Sequence, residues 1–375
     1  MSKLSLITAV AASFLSFAIG TAQSAEVASA DDTARFLAGM PPSAGSPLAP
    51  LTKDPNWQQH AKSMDRAFAS LEKRQVSRIR NWADANLASP RPTMFYMFSG
   101  PDFLYAEAFF SRATTYVLSG LEPSGPIPDL QAQRRSIPAT LASLQGSMRT
   151  LFDYSFFITH NMRNDLALQG TIPFLYVFLA RAGKQIRGVS LVNIDGQGEL
   201  QPEGPKSKSA AHGVKIVFAG ADGREQTLYY FSTDLGNSGV KSSGFLTFCA
   251  KLGDGDSFVK SASYLMHKSE FSQVRDFLLN KSATILQDDS GIPLKFFDVK
   301  KWELTPFGNY LTPDPVFAAQ NVYQTNMAEL FRKGHTKPID FGVGYRWRPG
   351  ESNLLLAVKR SAAESKPAAK PAENK

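Results

Sequence analysis

Apolar positions in this chain follow two spacings, and the segments on either side of residue 110 show both. Residues 93–98 form a short unbroken apolar run that stops at Ser99-Gly100-Pro101-Asp102. The pattern recurs at 114–118, which stops at Ser119-Gly120-Leu121-Glu122. Short apolar runs bounded by turn residues mark buried strands. Residues 103–110, between them, have helical character. Strand, short helix and strand predict a parallel pair joined by a right-handed crossover. The two Ser-Gly endings then lie side by side.

A longer helical pattern precedes this unit. Asp54 can cap and Pro55 suits the first turn, and Trp57, Ala61, Met64, Phe68, Leu71, Val76, Ile79 and Trp82 keep one apolar face until Ser89-Pro90. The pattern predicts a helix over 54–88. Gln75 interrupts the seam and tryptophan is bulky for it, which favours packing on its own domain over a coiled coil.

After the parallel pair, 140–152 reads as a helix, and 154–170 continues in helical style through His160. The run 174–180 is taken as a third strand, with a buried helix as its rival, and 188–195 as a fourth. Residues 214–218 and 227–231 flank Asp222-Gly223, a hairpin turn signal. Residues 240–252 fit neither pattern. The stretch 257–279 looks helical, with a break near Lys268-Ser269. Residues 283–286 form a strand that ends at Gln287-Asp288-Asp289-Ser290, and 294–297 a further one. Residues 298–325 are irregular, and 326–333 make a short helix. Residues 340–347 alternate apolar and smaller positions and predict a C-terminal hairpin with 353–359. The fold class is α/β: a mostly parallel or mixed sheet with helices on both faces, antiparallel hairpins at its edge and a long N-terminal helix.

The ends set the organisation. Lys3, an apolar run over 4–19 and small residues at 22–25 predict a signal peptide over 1–25, and so export to the periplasm or beyond. Residues 26–53 read as an extended arm rich in Pro, Ala and Ser, 54–360 as one α/β domain, and 361–375 as a disordered tail. No later run reaches membrane-spanning length. Cys249 is the single cysteine, so no internal disulfide is expected. It lies in an apolar run, as a buried small residue does.

Composition adds little to this. The 375 residues are 43% hydrophobic and carry a net charge of +8. The basic residues are spread out, with no block of five or six, which argues against nucleic acid as partner. A basic surface suits an anionic envelope component.

Open α/β sheets place ligands beyond the carboxyl ends of their strands. The residues there make the candidate ligand set: Ser99, Asp102, Ser119, Glu122, Asp288, Asp289 and Ser290. Thr233, Asp234 and Asp195 also follow apolar runs. Turns favour such residues for backbone reasons alone, which is the plainer reading of any one of them. Asp102, His160 and Asp289 are the catalytic candidates. The chain has no His-Glu-x-x-His, Gly-x-Ser-x-Gly, phosphate-binding loop or Gly-x-Gly-x-x-Gly, so no motif indicates a cofactor or a metal. Three functions stay open. One is binding of a small polar ligand or envelope component without turnover. Another is a carboxylate- or metal-dependent hydrolase using Asp102, Glu122, Asp289 and His160. The third is an interaction protein using the N-terminal helix.

Overall fold

The computed structural model describes residues 27–87, 89–154, 170–203 and 211–360. Residues 1–25, His160 and the tail at 361–375 lie outside these. The stretch read as an extended arm holds a helix, α1 (Ala30–Leu37). Ser29 caps it by accepting from Asp32 N, and Phe36 and Leu37 are buried. The surrounding Ala, Pro and Ser hide this capped turn in the composition. Trp57 donates to Phe36 O at 3.1 Å and fixes α1 on α2 (Pro55–Leu71).

The long N-terminal helix is present as α2, one wide π turn at Glu72–Val76, and α3 (Ser77–Asn86). Gln75, the residue that breaks the seam, sits in the wide turn and is buried. Its amide donates to Gly342 O at 3.0 Å and accepts from Gly342 N at 2.8 Å. The polar break in the pattern is therefore a tether for a loop far along the chain.

β1 (Thr93–Tyr96), α4 (Phe103–Phe109) and β2 (Thr115–Gly120) form the expected unit, with β1 and β2 parallel from Thr93↔Thr115 to Tyr96↔Leu118. Ser99 N and Gly100 N both donate to Ser119 O, at 2.9 and 3.1 Å, so the two Ser-Gly endings touch. A Cβ on Gly120 would stand 3.0 Å from Gly100 Cα and 2.7 Å from a Glu122 carboxylate oxygen. A side chain at Gly120 would push the two turns and the Glu122 carboxylate apart.

α5 (Ile137–Tyr154) and α6 (Ile172–Arg181) follow. The run read as a third strand is α6. Every residue from Ile172 to Ala180 is buried, so no exposed face is left to show a helical period. The chain then makes β3 (Gln185–Ile194), β4 (Leu200–Pro202), β5 (Ala211–Ala219) and β6 (Glu225–Ser232), the last two being the expected antiparallel hairpin. α7 (Asn237–Ser243) and α8 (Phe245–Lys251) occupy the stretch that fitted neither pattern. β7 (Gly255–Val259) runs into the first residues of the stretch read as helix, ahead of α9 (Ser272–Lys281) and β8 (Ser282–Gln287). Its inner positions include Asp256 and Ser257, buried polar residues that break the apolar run. Asp256 accepts from Arg91 N and Thr284 N, which offsets its burial.

Residues 294–297 are no strand, since Leu294–Phe296 is a 3-10 turn. β9 (Trp302–Gly308) lies in the stretch read as irregular, and α10 (Thr325–Lys333) follows. β10 (Asn353–Lys359) pairs antiparallel with β8 and β9. Residues 340–347 therefore do not form its hairpin partner. They pack as a loop instead, with Phe341 and Val343 buried and Gly342 held by Gln75.

The sheet has ten strands in the order β4-β3-β5-β6-β2-β1-β7-β8-β10-β9. Its centre, β6-β2-β1-β7-β8, is parallel and its flanks are antiparallel. Met94, Tyr96, Tyr116 and Leu118 pack in one core with α1 to α6. Phe95, Met97 and Val117 pack in the other with α7 to α9. From β1 the chain proceeds to β2 and β6 on one side, then returns to β7 and β8 on the other. The connections reverse between β1 and β7, the position at which such sheets open a crevice. Among the described residues no helix is long and apolar enough to cross a membrane.

Replacing Gln75 with Leu strands the amide and carbonyl of Gly342 in the interior. The expected loss is about 1–3 kcal/mol of unfolding free energy, read from urea denaturation.

Candidate ligand cavity at the strand ends

The turn after β1 is tightly wound. Phe98 (φ 62°) and Gly100 (φ 55°) are left-handed. Ser99 lies between them, and its hydroxyl bonds Gly100 O at 2.8 Å and Ser119 O at 3.2 Å. Asp102 follows and caps α4, accepting from Tyr105 N at 3.2 Å through Oδ1. Its other oxygen accepts from Tyr96 OH at 2.9 Å and meets Lys260 Nζ at 2.8 Å. Lys260 is the first residue after β7. The two charged side chains, each 2% exposed, therefore bridge the point where the connections reverse. The ammonium also sits 4.0 Å from the centroid of the Tyr105 ring. Burial and the Asp102 charge push the Tyr96 phenol well above its usual range, so it remains a donor.

Beyond Lys260 the backbone is strained. Ser261, Ser263 and Tyr264 have φ of 53°, 52° and 54°. Left-handed conformations in residues other than glycine cost about 1–3 kcal/mol each and persist only where surrounding contacts impose them. The Ser261 hydroxyl is shielded from solvent and makes no hydrogen bond among the described residues. The contacts that impose the turn come from the end of β8. Asp288 accepts from Ser261 N at 2.9 Å, Ser290 Oγ from Ala262 N at 2.8 Å, and Asp289 from Tyr264 OH at 2.6 Å. Asp289 also accepts from Asn353 Nδ2 at 3.1 Å, and Tyr345 OH bonds Ser261 O at 2.9 Å. Burial, reinforced by the neighbouring Asp289, pushes the Asp288 carboxyl up to about 7. Burial also raises Asp289, against the bonds from Tyr264 and Asn353.

These turns enclose a cavity of about 610 Å³. Its walls are Phe98, Ser99, Gly100 and Asp102 after β1, Gly120–Glu122 at the end of β2, Thr233–Leu235 after β6 and the turn after β7, with Asp314, Val316 and Tyr345 from later in the chain. Of the expected ligand set, Ser99, Asp102 and Glu122 line it. Ser119 does not: it is fully buried and its hydroxyl points to Met97 Sδ. Asp288, Asp289 and Ser290 do not line it either, because their side chains hold the β7 turn from behind. Asp102 and Glu122 thus share one cavity, but Asp289 does not join them. The sequence reading missed Lys260 and Tyr345. Lys260 follows Phe258-Val259, and reading 255–259 as a strand would have placed it at a strand end.

Cys249, His60 and His267 do not line the cavity. Cys249 is fully buried and burial pushes its thiol well up. His60 lies between Leu37 O and Gln145, and burial pushes His267 down to about 4. Among the described residues no three His, Cys, Asp or Glu side chains stand close enough to hold a metal ion. Comparison with protein-family models, curated protein sequences and solved structures finds no match for this chain.

Two outcomes follow from this geometry. Lys260→Met leaves a buried carboxylate without its cation and lowers stability by about 3–5 kcal/mol, and adding Asp102→Asn restores part of the loss. Both are read from urea denaturation. Burial keeps the proton on Asp288 in the folded state up to about pH 7, whereas the unfolded chain releases it in the ordinary carboxylate range. The folded state binds more protons within that window, so this group's contribution makes stability fall as pH rises through it. The difference between wild-type and Asp288→Asn denaturation midpoints should change across the window and level off on either side.

Proposed function

We propose that this protein binds a small organic molecule in the cavity at the carboxyl ends of its parallel strands, without turning it over. The observation that carries the proposal is a cavity of about 610 Å³ whose inner wall is the buried Asp102–Lys260 pair, at the point where the strand connections reverse. Volumes of about 300–1,000 Å³ suit small-molecule ligands, and this position is a usual one for them. The lining supports binding over catalysis. The Ser99 hydroxyl is directed to two backbone carbonyls, Gly100 O and Ser119 O. The Asp102 carboxylate already serves Lys260, Tyr96 and Tyr105 N. A hydrolase built on Asp102, Glu122, Asp289 and His160 loses Asp289, whose carboxylate is engaged by Tyr264 and Asn353. The N-terminal helix is a weaker interaction surface than its pattern suggests, because Trp57, Met64, Phe68 and Ile79 are spent in the chain's own core. With residues 1–25 read as an export signal, binding would take place in the periplasm or outside the cell.

Leu121 lines the mouth and is 56% exposed, so a larger side chain there narrows the entrance without disturbing the core. In a thermal-shift screen of small organic compounds, a ligand at a hundred times its Kd adds about 2.7 kcal/mol to the wild-type protein. The same compounds should lose most of that stabilisation in Leu121→Trp. Equal shifts in the two proteins would contradict the proposal.

A further inference from the structure

We infer that the ligand is an organic cation: a protonated amine or quaternary ammonium group on an aromatic or alkyl body. This rests on the binding proposal above and narrows it to a class of molecule. The cavity makes the site, and the charges on its wall decide what suits it. Among the described residues that line it, Asp234 and Asp314 add two carboxylates to the paired Asp102 and Lys260. A second hollow of about 580 Å³ shares Asp234 and Phe271 with the first and adds Glu270. The chain as a whole carries +8, so this acidic concavity runs against the protein's overall charge. Low-dielectric concave walls focus such a field on whatever enters.

The cationic wall residue is poorly placed to recruit an anion. Lys260 is 2% exposed and 2.8 Å from Asp102. An anion that drew it away would leave a buried carboxylate uncompensated. A cation meets better partners. Phe98, Phe271 and Tyr345 line the cavity, and aromatic faces attract ammonium groups. The wall already holds one cation by this chemistry, since the Lys260 ammonium lies between the Asp102 carboxylate and the Tyr105 ring. A bare metal ion fits less well, because among the described residues no three donor side chains converge. The exposed side chains of Leu121 and Val316 at the mouth suit the apolar body of such a ligand.

The test uses three probes of similar size: 2-phenylethylammonium, 2-phenylethanol and 3-phenylpropionate. They are titrated into the full folded protein at neutral pH and low salt, with affinity read by calorimetry. The ammonium probe should bind about tenfold or more tighter than the alcohol, with the carboxylate weakest, and added salt should shrink the preference. Asp234→Asn with Asp314→Asn should lower the ratio of ammonium to alcohol affinity by about threefold or more, since asparagine keeps both turn-capping bonds. Tightest binding by 3-phenylpropionate would overturn the inference. Equal binding of the ammonium and alcohol probes, both lost in Leu121→Trp, would overturn it while leaving the binding proposal in place. No binding by any of the three would overturn it too, and the compound screen would then decide the binding proposal by itself.

Discussion

The ion pair between Asp102 and Lys260 is the contact on which the cavity depends. Each partner is the product of a separate strand end, one after β1 and one after β7. They meet because these strands are neighbours while their connections run in opposite directions. An isolated charge at such depth is prohibitive, and a buried pair is tolerable only when the remaining hydrogen-bonding capacity is filled. Here the Tyr96 hydroxyl and Tyr105 N fill Asp102, and the Tyr105 ring lies against the ammonium. One carboxylate thus starts α4, anchors the β1 turn and fixes the lysine.

The second constraint is backbone strain. Four of the six left-handed residues other than glycine among those described, Phe98, Ser261, Ser263 and Tyr264, belong to the two turns that flank this pair. Such conformations would relax if left alone. The turn after β7 is held by hydrogen bonds that Asp288, Asp289 and Ser290 accept from it, and these stand behind the cavity wall at the end of β8. β10 contributes Asn353 to the same network, and the loop tethered by Gln75 runs on into Tyr345, which lines the cavity. The antiparallel edge of the sheet therefore shapes a cavity that belongs to its parallel centre.

Much of this arrangement was legible in the chain. The parallel pair, the contact between the Ser-Gly endings and the placing of Ser99, Asp102 and Glu122 at one strand edge all follow from short apolar runs ending in turn residues. What stayed hidden has physical reasons. β7 carries Asp256 and Ser257 inward, where Asp256 bonds backbone amides and Ser257 meets Ser282 Oγ at 2.6 Å, so its apolar pattern is broken. With β7 unread, Lys260 could not be seen as a strand-end residue. α6 is buried on all sides and shows no period. Asp288, Asp289 and Ser290 do sit at a strand end, but one-dimensional pattern gives no means of telling a side chain that faces a cavity from one that braces its wall.

The most direct test of the central claim, that the strand-end cavity over Asp102 and Lys260 is the binding site, is to map backbone amide chemical shifts on adding 2-phenylethylammonium. The account predicts perturbations at residues 98–100, 102, 120–122, 233–235 and 260–265, with none in the hollow that Ser63, Ala67, Gln145 and Arg149 line between α2 and α5. Perturbations centred elsewhere would contradict it.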